Sequence, residues 1–349
     1  TLAVKVGLVL GCTIDPTSRF DRKHYFYPDL PKGYQITQHY APICNGGAVE
    51  ATIDGEDVKF ELDRIHLEED AGKTVHDAKR GVSRVDYNRA GVPLIEVVSQ
   101  PVMRTPEEAV AFMKSLYQVV VAIGASDGNM EQGNFRCDAN VSVRRKGQVE
   151  LGTRTETKNM NSFRFVGRAI AYEIDRQIDL ISSGDKVIQQ TRLWDDDAGV
   201  GRPMRSKEEA QDYRYFPDPD LMPLNLDPAW IEQLGAELPE LPRARCQRFV
   251  SDYGLSHYDA DVLTQEMAIA DFFETCLESV SDAKLVANWV QGDLLGQLNR
   301  DGLSISQSPV SAESLAQMLG FLKAGKISGK MAKACFQAMM NEGIDAASW

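Results

Sequence analysis

Two hydrophobic periods divide this chain. Up to about residue 226, stretches that alternate polar and apolar residues are interspersed with helical stretches; beyond it only the helical period remains. Strands and helices distributed in this way, with hairpins among the strands, predict an α+β fold with a largely antiparallel sheet over residues 1–226. An all-α domain is expected over 227–349. The change falls at Asp218-Pro219-Asp220 and Asp227-Pro228. At 349 residues the chain is long enough to bury two cores.

Within the first part, 57–70 and 92–98 read as strands. Thr105-Pro106-Glu107-Glu108 has the form of a capping box with Pro at the first helical position, opening a helix that runs to about Gly124. Residues 135–144 and 149–158 read as a hairpin around Arg145-Lys146-Gly147. A second helix starts near Asn161-Ser162, carries Val166, Ile170, Ile174 and Ile178 at a spacing of four, and stops at Gly184. The second part reads as helices over 228–236, 242–253, 259–278, 281–299, 311–323 and 328–341.

Composition narrows the class further. Hydrophobic residues at 43% and charged residues at 26% exclude disordered and fibrous chains. No apolar run reaches the roughly 18 residues of a membrane span. Thr1-Leu2-Ala3-Val4 lacks the basic start of a signal peptide, and Leu2, Val6 and Leu10 already have helical spacing, as in the interior of a longer chain. Six scattered cysteines without a C-x-x-C pair exclude a local zinc knuckle and fit reduced thiols in the cytosol. The net charge of −13 speaks against extensive contact with RNA by this chain alone.

Several groups of residues could carry chemistry. In Phe135–Arg144 one face of the alternation is Arg136, Asp138, Asn140, Ser142 and Arg144; the partner strand adds Arg154, Glu156 and Lys158. Such a face suits phosphate, metal and carboxylate binding, or is a solvent face of weak ion pairs. Arg64–Lys73 places His66 close to three acids, Glu68, Glu69 and Asp70; strand parity pairs His66 with Glu68 but is unreliable at a strand end, so Glu68 and Glu69 stay open. Glu96 is surrounded by apolar neighbours, where a carboxylate is costly unless it is bound to a metal or paired with an arginine. In the segment 20–36, Arg22, Lys23 and Lys32 could hold phosphates while Tyr25 or Tyr27 packs on a base; alternatively its aromatics pin a loop to the core.

There is no Walker A motif, no G-x-G-x-x-G and no H-R-D, so an ATP site would be of another type. Nothing resembles an amidase nucleophile. Asp195-Asp196-Asp197-Ala198-Gly199 reads as a hairpin turn rather than a calcium loop. Lys323, Lys326, Lys330 and Lys333 form the best RNA-backbone stripe. They sit among 9 Lys and Arg against 17 Asp and Glu from residue 227 onward, so a solvated face is the competing reading.

Taken in order, FDRKHYFYPDLPKGYQITQ (20–38), RIHLEEDAGK (64–73), VDYNRAGVPLIEVVS (85–99), FRCDANVSVR (135–144), LGTRTETKNMNSFRFV (151–166) and DYRYFPDPDL (212–221) resemble the signature blocks of one family. It is the family of B subunits of the amidotransferases that convert Glu-tRNA(Gln) or Asp-tRNA(Asn) to the amide-charged form. ELPELP (237–242), YDADVLT (258–264) and AKLVANWV (283–290) extend the resemblance to the end.

The resemblance implies a glutamine-synthetase-like antiparallel cradle followed by a helical domain. It implies a two-stage ligase reaction with ATP and Mg²⁺: phosphorylation of the misacylated side-chain carboxylate, then displacement by ammonia. The ammonia comes from a partner amidase (A) subunit, with a small C subunit completing the complex, in the cytoplasm or, in a eukaryote, an organelle. It assigns Glu69 and Glu96 as metal ligands and Lys23, His66, Arg136, Asp138, Arg154 and Lys158 as polar cradle residues; Arg22, Lys23 and Tyr25 are expected at the nucleotide from the charge and rings of segment 20–36. The family's N-terminal strand with a Glu-x-His pair is not in this sequence and its C-terminal tail domain is missing or short. Both domains are therefore expected to be truncated, and a scaffold that binds tRNA and subunits without catalysis is the alternative.

Overall fold

The computed structural model describes residues 1–77, 80–204 and 212–349, and the chain divides into two compact units, Thr1–Leu238 and Pro239–Trp349. The first unit thus runs beyond the boundary expected near 226 and includes the helix Pro228–Ala236, which packs against the N-terminal helix Leu2–Val9.

The first unit is built around one long strand, Glu56–Glu69. Pro93–Ser99 pairs with it along one edge. Along the other edge run Ala48–Ile53 and then Cys44–Asn45, which in turn pairs with Thr13–Ile14. Every pairing in this sheet is antiparallel, as the alternation implied. Helix Pro106–Ala122 covers Ala48–Ile53, and Phe112 meets Phe60 of the long strand edge-on at 6.0 Å. Its N-terminus is capped as expected by Thr105, whose Oγ1 accepts from the Glu108 N–H at 3.1 Å. The reciprocal half of the box is displaced, because the Glu108 carboxylate takes the N–H of Arg104 instead.

A second sheet runs Ala139–Val141, Thr155–Lys158, Thr191–Asp195, Val200–Pro203, with one parallel pairing in the middle. The hairpin expected from 135–144 and 149–158 pairs only at Ala139–Val141 with Thr155–Thr157. Gln177 explains where it stops: its Nε2 donates to the Val141 carbonyl at 3.0 Å and its Oε1 accepts from the Val143 N–H at 3.2 Å.

Gln177 belongs to helix Phe163–Ser182, capped by Ser162. A spacing of four advances about 40° beyond a full turn at each step, so the row starting at Val166 drifts around the helix. Val166 and Ile170 are buried, Ile178 is 47% exposed, and Glu173 and Gln177 occupy the buried face instead. Glu173 is held there by Arg176 at 2.6 Å, Thr155 at 2.6 Å and Arg192 at 3.3 Å. Asp195–Gly199 is a hairpin turn, with Asp195 accepting from Ala198 and Arg202. A third, three-stranded sheet joins Phe216–Pro217, Asp21–His24 and Tyr34–Thr37.

The second unit is helical throughout. The helix expected over 259–278 is two, His257–Thr264 and Met267–Ser279, because Glu266 adopts extended backbone between them. The helix expected over 281–299 is Ala283–Asn288 and Leu295–Asp301 joined by a π-helical turn, Trp289–Leu294. Phe249, Phe273, Leu294, Leu315, Met318 and Phe336 form its core. Among the described residues no helix is long and apolar enough to cross a membrane.

Candidate active site

The long strand extends beyond the point where Cys44–Asn45 stops pairing with it at Ile65. Its freed edge is satisfied by two glutamines, one in strand Tyr34–Thr37 and one just after it: Gln38 Oε1 accepts from the Leu67 N–H at 2.9 Å, and Gln35 Nε2 donates to the Glu69 carbonyl at 2.8 Å. On the other edge Glu96 stands directly opposite His66. Since alternate residues share a face, Arg64, His66 and Glu68 line up with Glu96.

The result is a compact cluster. His66 Nε2 lies 3.5 Å from Glu96 Oε2 and 3.8 Å from Glu68 Oε2, and one donor atom from each residue falls within 4.8 Å of the others. His66 is 4% exposed and its Nδ1 has no partner among the described residues, whereas the Glu96 side chain is 49% exposed. The cluster therefore has a buried back and an open front. The partner of Glu96 is a histidine, not an arginine, and its surroundings are less enclosed than its apolar neighbours in sequence implied.

The two carboxylates respond in opposite directions. Burial and the adjacent Glu68 charge push Glu96 above the usual carboxylate range. For Glu68, burial pushes up, but the neighbouring His66 and the positive field of Lys23 win and hold it below that range. Two carboxylates this close titrate as a pair, and a proton or a cation between them relieves their repulsion. A hard divalent cation fits the donor set: two carboxylate oxygens, with an open front where water or phosphate oxygens complete the shell. His66 Nε2 offers a third donor.

Lys23, whose charge acts on Glu68, lies on strand Asp21–His24, with its ammonium 4.9 Å from the Tyr213 ring and 5.9 Å from that of Tyr25. Tyr213 is in edge contact with Tyr215, whose ring lies flat on the His39 imidazole at 3.9 Å. Burial pushes the Tyr25 and Tyr215 hydroxyls up to about 12, so both stay protonated donors at neutral pH.

Other residues singled out in the sequence go elsewhere. Glu69, expected beside Glu96, lies on the opposite face of the strand, where it pairs with Lys32 and accepts from the Ile36 N–H at 2.9 Å. Arg22 is taken up by Asp218 and Asp220, each at 2.8 Å, and lies over the Tyr34 ring, which ties two strands together instead of facing a phosphate. Arg136 leaves the face of Asp138 and reaches Asp70 at 2.7 Å. Asp138 pairs with Lys158, which also lies 3.2 Å from Glu156. Arg154 is exposed without a side-chain partner among the described residues.

The lysine stripe is not one helical face. Lys323 ends helix Ala312–Lys323 and donates to Ser281, Lys326 lies in the turn over Phe321, and Lys330 and Lys333 belong to the next helix. Lys333 is paired with Asp293 and lies over Trp289. Glu68 and the Tyr213–Tyr215 pair were missed as site residues. The parity of Glu68 with His66 was the available signal; Tyr213 and Tyr215 lie in the block DYRYFPDPDL but reach the site only through tertiary structure.

Comparison with known proteins identifies the family. A family model described as the GatB/GatE catalytic domain matches residues 1–232, and one described as a GatB domain matches 271–349. Similar proteins include the B subunit of the aspartyl/glutamyl-tRNA(Asn/Gln) amidotransferase of Solidesulfovibrio magneticus, 52% identical over 99% of this chain and 73% of that protein. The proteins of the same name from Geotalea daltonii and Thioalkalivibrio sulfidiphilus are each 54% identical, over 98% and 97% of this chain and 72% of theirs. The signature blocks, the mixed α+β fold with its helical C-terminal part and these matches converge: the chain belongs to the GatB/GatE family.

Proposed function

We propose that this chain carries the phosphoryl-transfer half of a tRNA-dependent amidation, acting on Glu-tRNA(Gln), Asp-tRNA(Asn) or both. The observation that carries the reading is the His66–Glu68–Glu96 cluster with Lys23 beside it, in a chain whose relatives are named amidotransferase B subunits. In this reaction a carboxylate oxygen of the misacylated side chain attacks the γ-phosphorus of ATP and ADP departs. Ammonia then attacks the carbonyl carbon of the acyl phosphate, loses a proton, and phosphate leaves. Ammonia is supplied by a partner amidase (A) subunit, and a small C subunit completes the assembly.

Glu68 and Glu96 would hold Mg²⁺, with His66 behind them. When bound, the cation would neutralise phosphate charge and orient the nucleotide. Lys23 contributes fixed positive charge, and the rings of Tyr25 and Tyr213 restrict where its ammonium can go. Lys158, held by Asp138 and Glu156, offers a second cation on the four-stranded sheet, and Arg154, exposed and without a side-chain partner among the described residues, is available to an anion. Six free cysteines, five of them buried, fit the reducing cytoplasm.

The test is ADP formation by the assembled complex that depends on misacylated tRNA. Glu96→Gln and Glu68→Gln should each lower it by about 100-fold or more. An undiminished rate in Glu96→Gln would contradict the assignment.

A further inference from the structure

The turn after Lys23 displays an aromatic ring outward. Phe26 is 89% exposed, and Tyr27 and Tyr87 beside it are 44% and 49% exposed. The three rings line an open depression of about 460 Å³, within the range of about 300–1,000 Å³ usual for small-ligand sites. The turn is rigidly built. A Cβ on Gly33 would fall 2.9 Å from the Phe26 ring, so the bare backbone of Gly33, at φ +77°, lets the ring lie across it. The Tyr87 hydroxyl donates to the Pro28 carbonyl at 2.7 Å, and the Gly72 N–H donates to the Asp29 carbonyl at 2.9 Å.

Beside this turn lies a pair of arginines. Asp70, two residues before Gly72, is shared by two guanidiniums: Arg136 at 2.7 Å and Arg89 at 3.1 Å. Their side chains are 39% and 35% exposed, and the Arg89 Nε lacks hydrogen-bond alignment with Asp70. Within this clasp one carboxylate faces two guanidiniums, a net charge of about one on the three groups.

We propose that these features form a subsite for the unpaired 3′ end of the RNA substrate: a nucleobase stacks on Phe26 and a backbone phosphate lies against Arg89 and Arg136. A flat ring held on a rigid turn suits any base face, and half-exposed guanidiniums suit a phosphate. The subsite adjoins the proposed reaction centre along the chain: Phe26 follows Tyr25, whose ring lies 5.9 Å from the Lys23 ammonium. The inference rests on the amidation reading, since only an RNA that carries the reacting amino acid on its 3′ end needs that end held here.

The assembled complex is tested with two RNA hairpins, one ending in a short unpaired 3′ tail with 2-aminopurine as a reporter base and one blunt. Tailed RNA should bind more tightly than blunt RNA and its reporter fluorescence should be quenched. Phe26→Ala should weaken tailed RNA about tenfold and relieve quenching, leave blunt RNA unchanged, and be rescued by Phe26→Tyr. Arg89→Met should reduce the salt dependence of tailed binding by about one phosphate contact. Equal binding of both hairpins by the wild type, or unchanged binding of tailed RNA by Phe26→Ala, overturns the subsite. So does a Phe26→Ala variant whose defect is loss of subunit association, which would make the patch a protein contact. Overturning the subsite while the wild type still forms ADP in response to misacylated tRNA leaves the amidation reading standing; absence of that ADP formation removes both.

Discussion

Glu68, Glu69 and Glu96 are chemically alike, yet the fold uses them differently. Glu68 and Glu96 share a face with His66, while Glu69 turns away to close the junction with Lys32 and Ile36. Two predictions separate them. Glu69→Ala leaves the Ile36 N–H unsatisfied and should cost about 1–3 kcal/mol in urea unfolding, with Mg²⁺ dependence unchanged. Glu96→Gln removes the repulsion with Glu68, so without divalent cation its stability at neutral pH should equal or exceed that of the wild type. Added Mg²⁺ should raise the melting temperature of the wild type but not that of the variant. Sequence parity alone placed Glu68 with His66, but a strand end carries no local mark of where pairing stops. That is settled by Gln35 and Gln38, distant residues whose amides satisfy the free edge.

At the scale of elements, helix Phe163–Ser182 buries a polar stripe that apolar periodicity could not reveal. Glu173 is 1% exposed and neutralises Arg192, itself buried. Glu173→Ala should therefore cost about 3–5 kcal/mol, measured by urea unfolding, because it leaves a buried guanidinium uncompensated. In the second unit, burial works against ionisation of Glu274, but hydrogen bonds from Arg248, Tyr253 and Arg245 hold its carboxyl down at about 2. A depressed carboxyl contributes stability above its ordinary range and loses it as pH falls through the folded value. Glu274→Gln should thus lose about 2 kcal/mol at pH 7 relative to wild type, with the difference disappearing between about pH 4.5 and pH 2. The strand and helix positions were legible because period and caps are local. The short hairpin ladder and the split at Glu266 were not, since side-chain competition for backbone groups decides the first and a single extended residue the second.

Across the whole molecule, the change from alternating to purely helical patterning corresponds to two compact units, each with its own apolar core. Expressed alone, residues 239–349 should give a single cooperative thermal transition. A gradual loss of helix signal would show that this core is insufficient by itself. The residue, element and domain scales meet at the face of the long strand, where the register of one strand pair brings His66, Glu68 and Glu96 together. The most direct test of that claim is Mn²⁺ binding, followed by electron paramagnetic resonance, in wild type and in Glu68→Gln, Glu96→Gln and Glu69→Gln. Glu68→Gln and Glu96→Gln should each weaken binding by about tenfold or more, with Glu69→Gln close to wild type. Loss of Mn²⁺ binding in Glu69→Gln, with Glu68→Gln unaffected, would contradict the account.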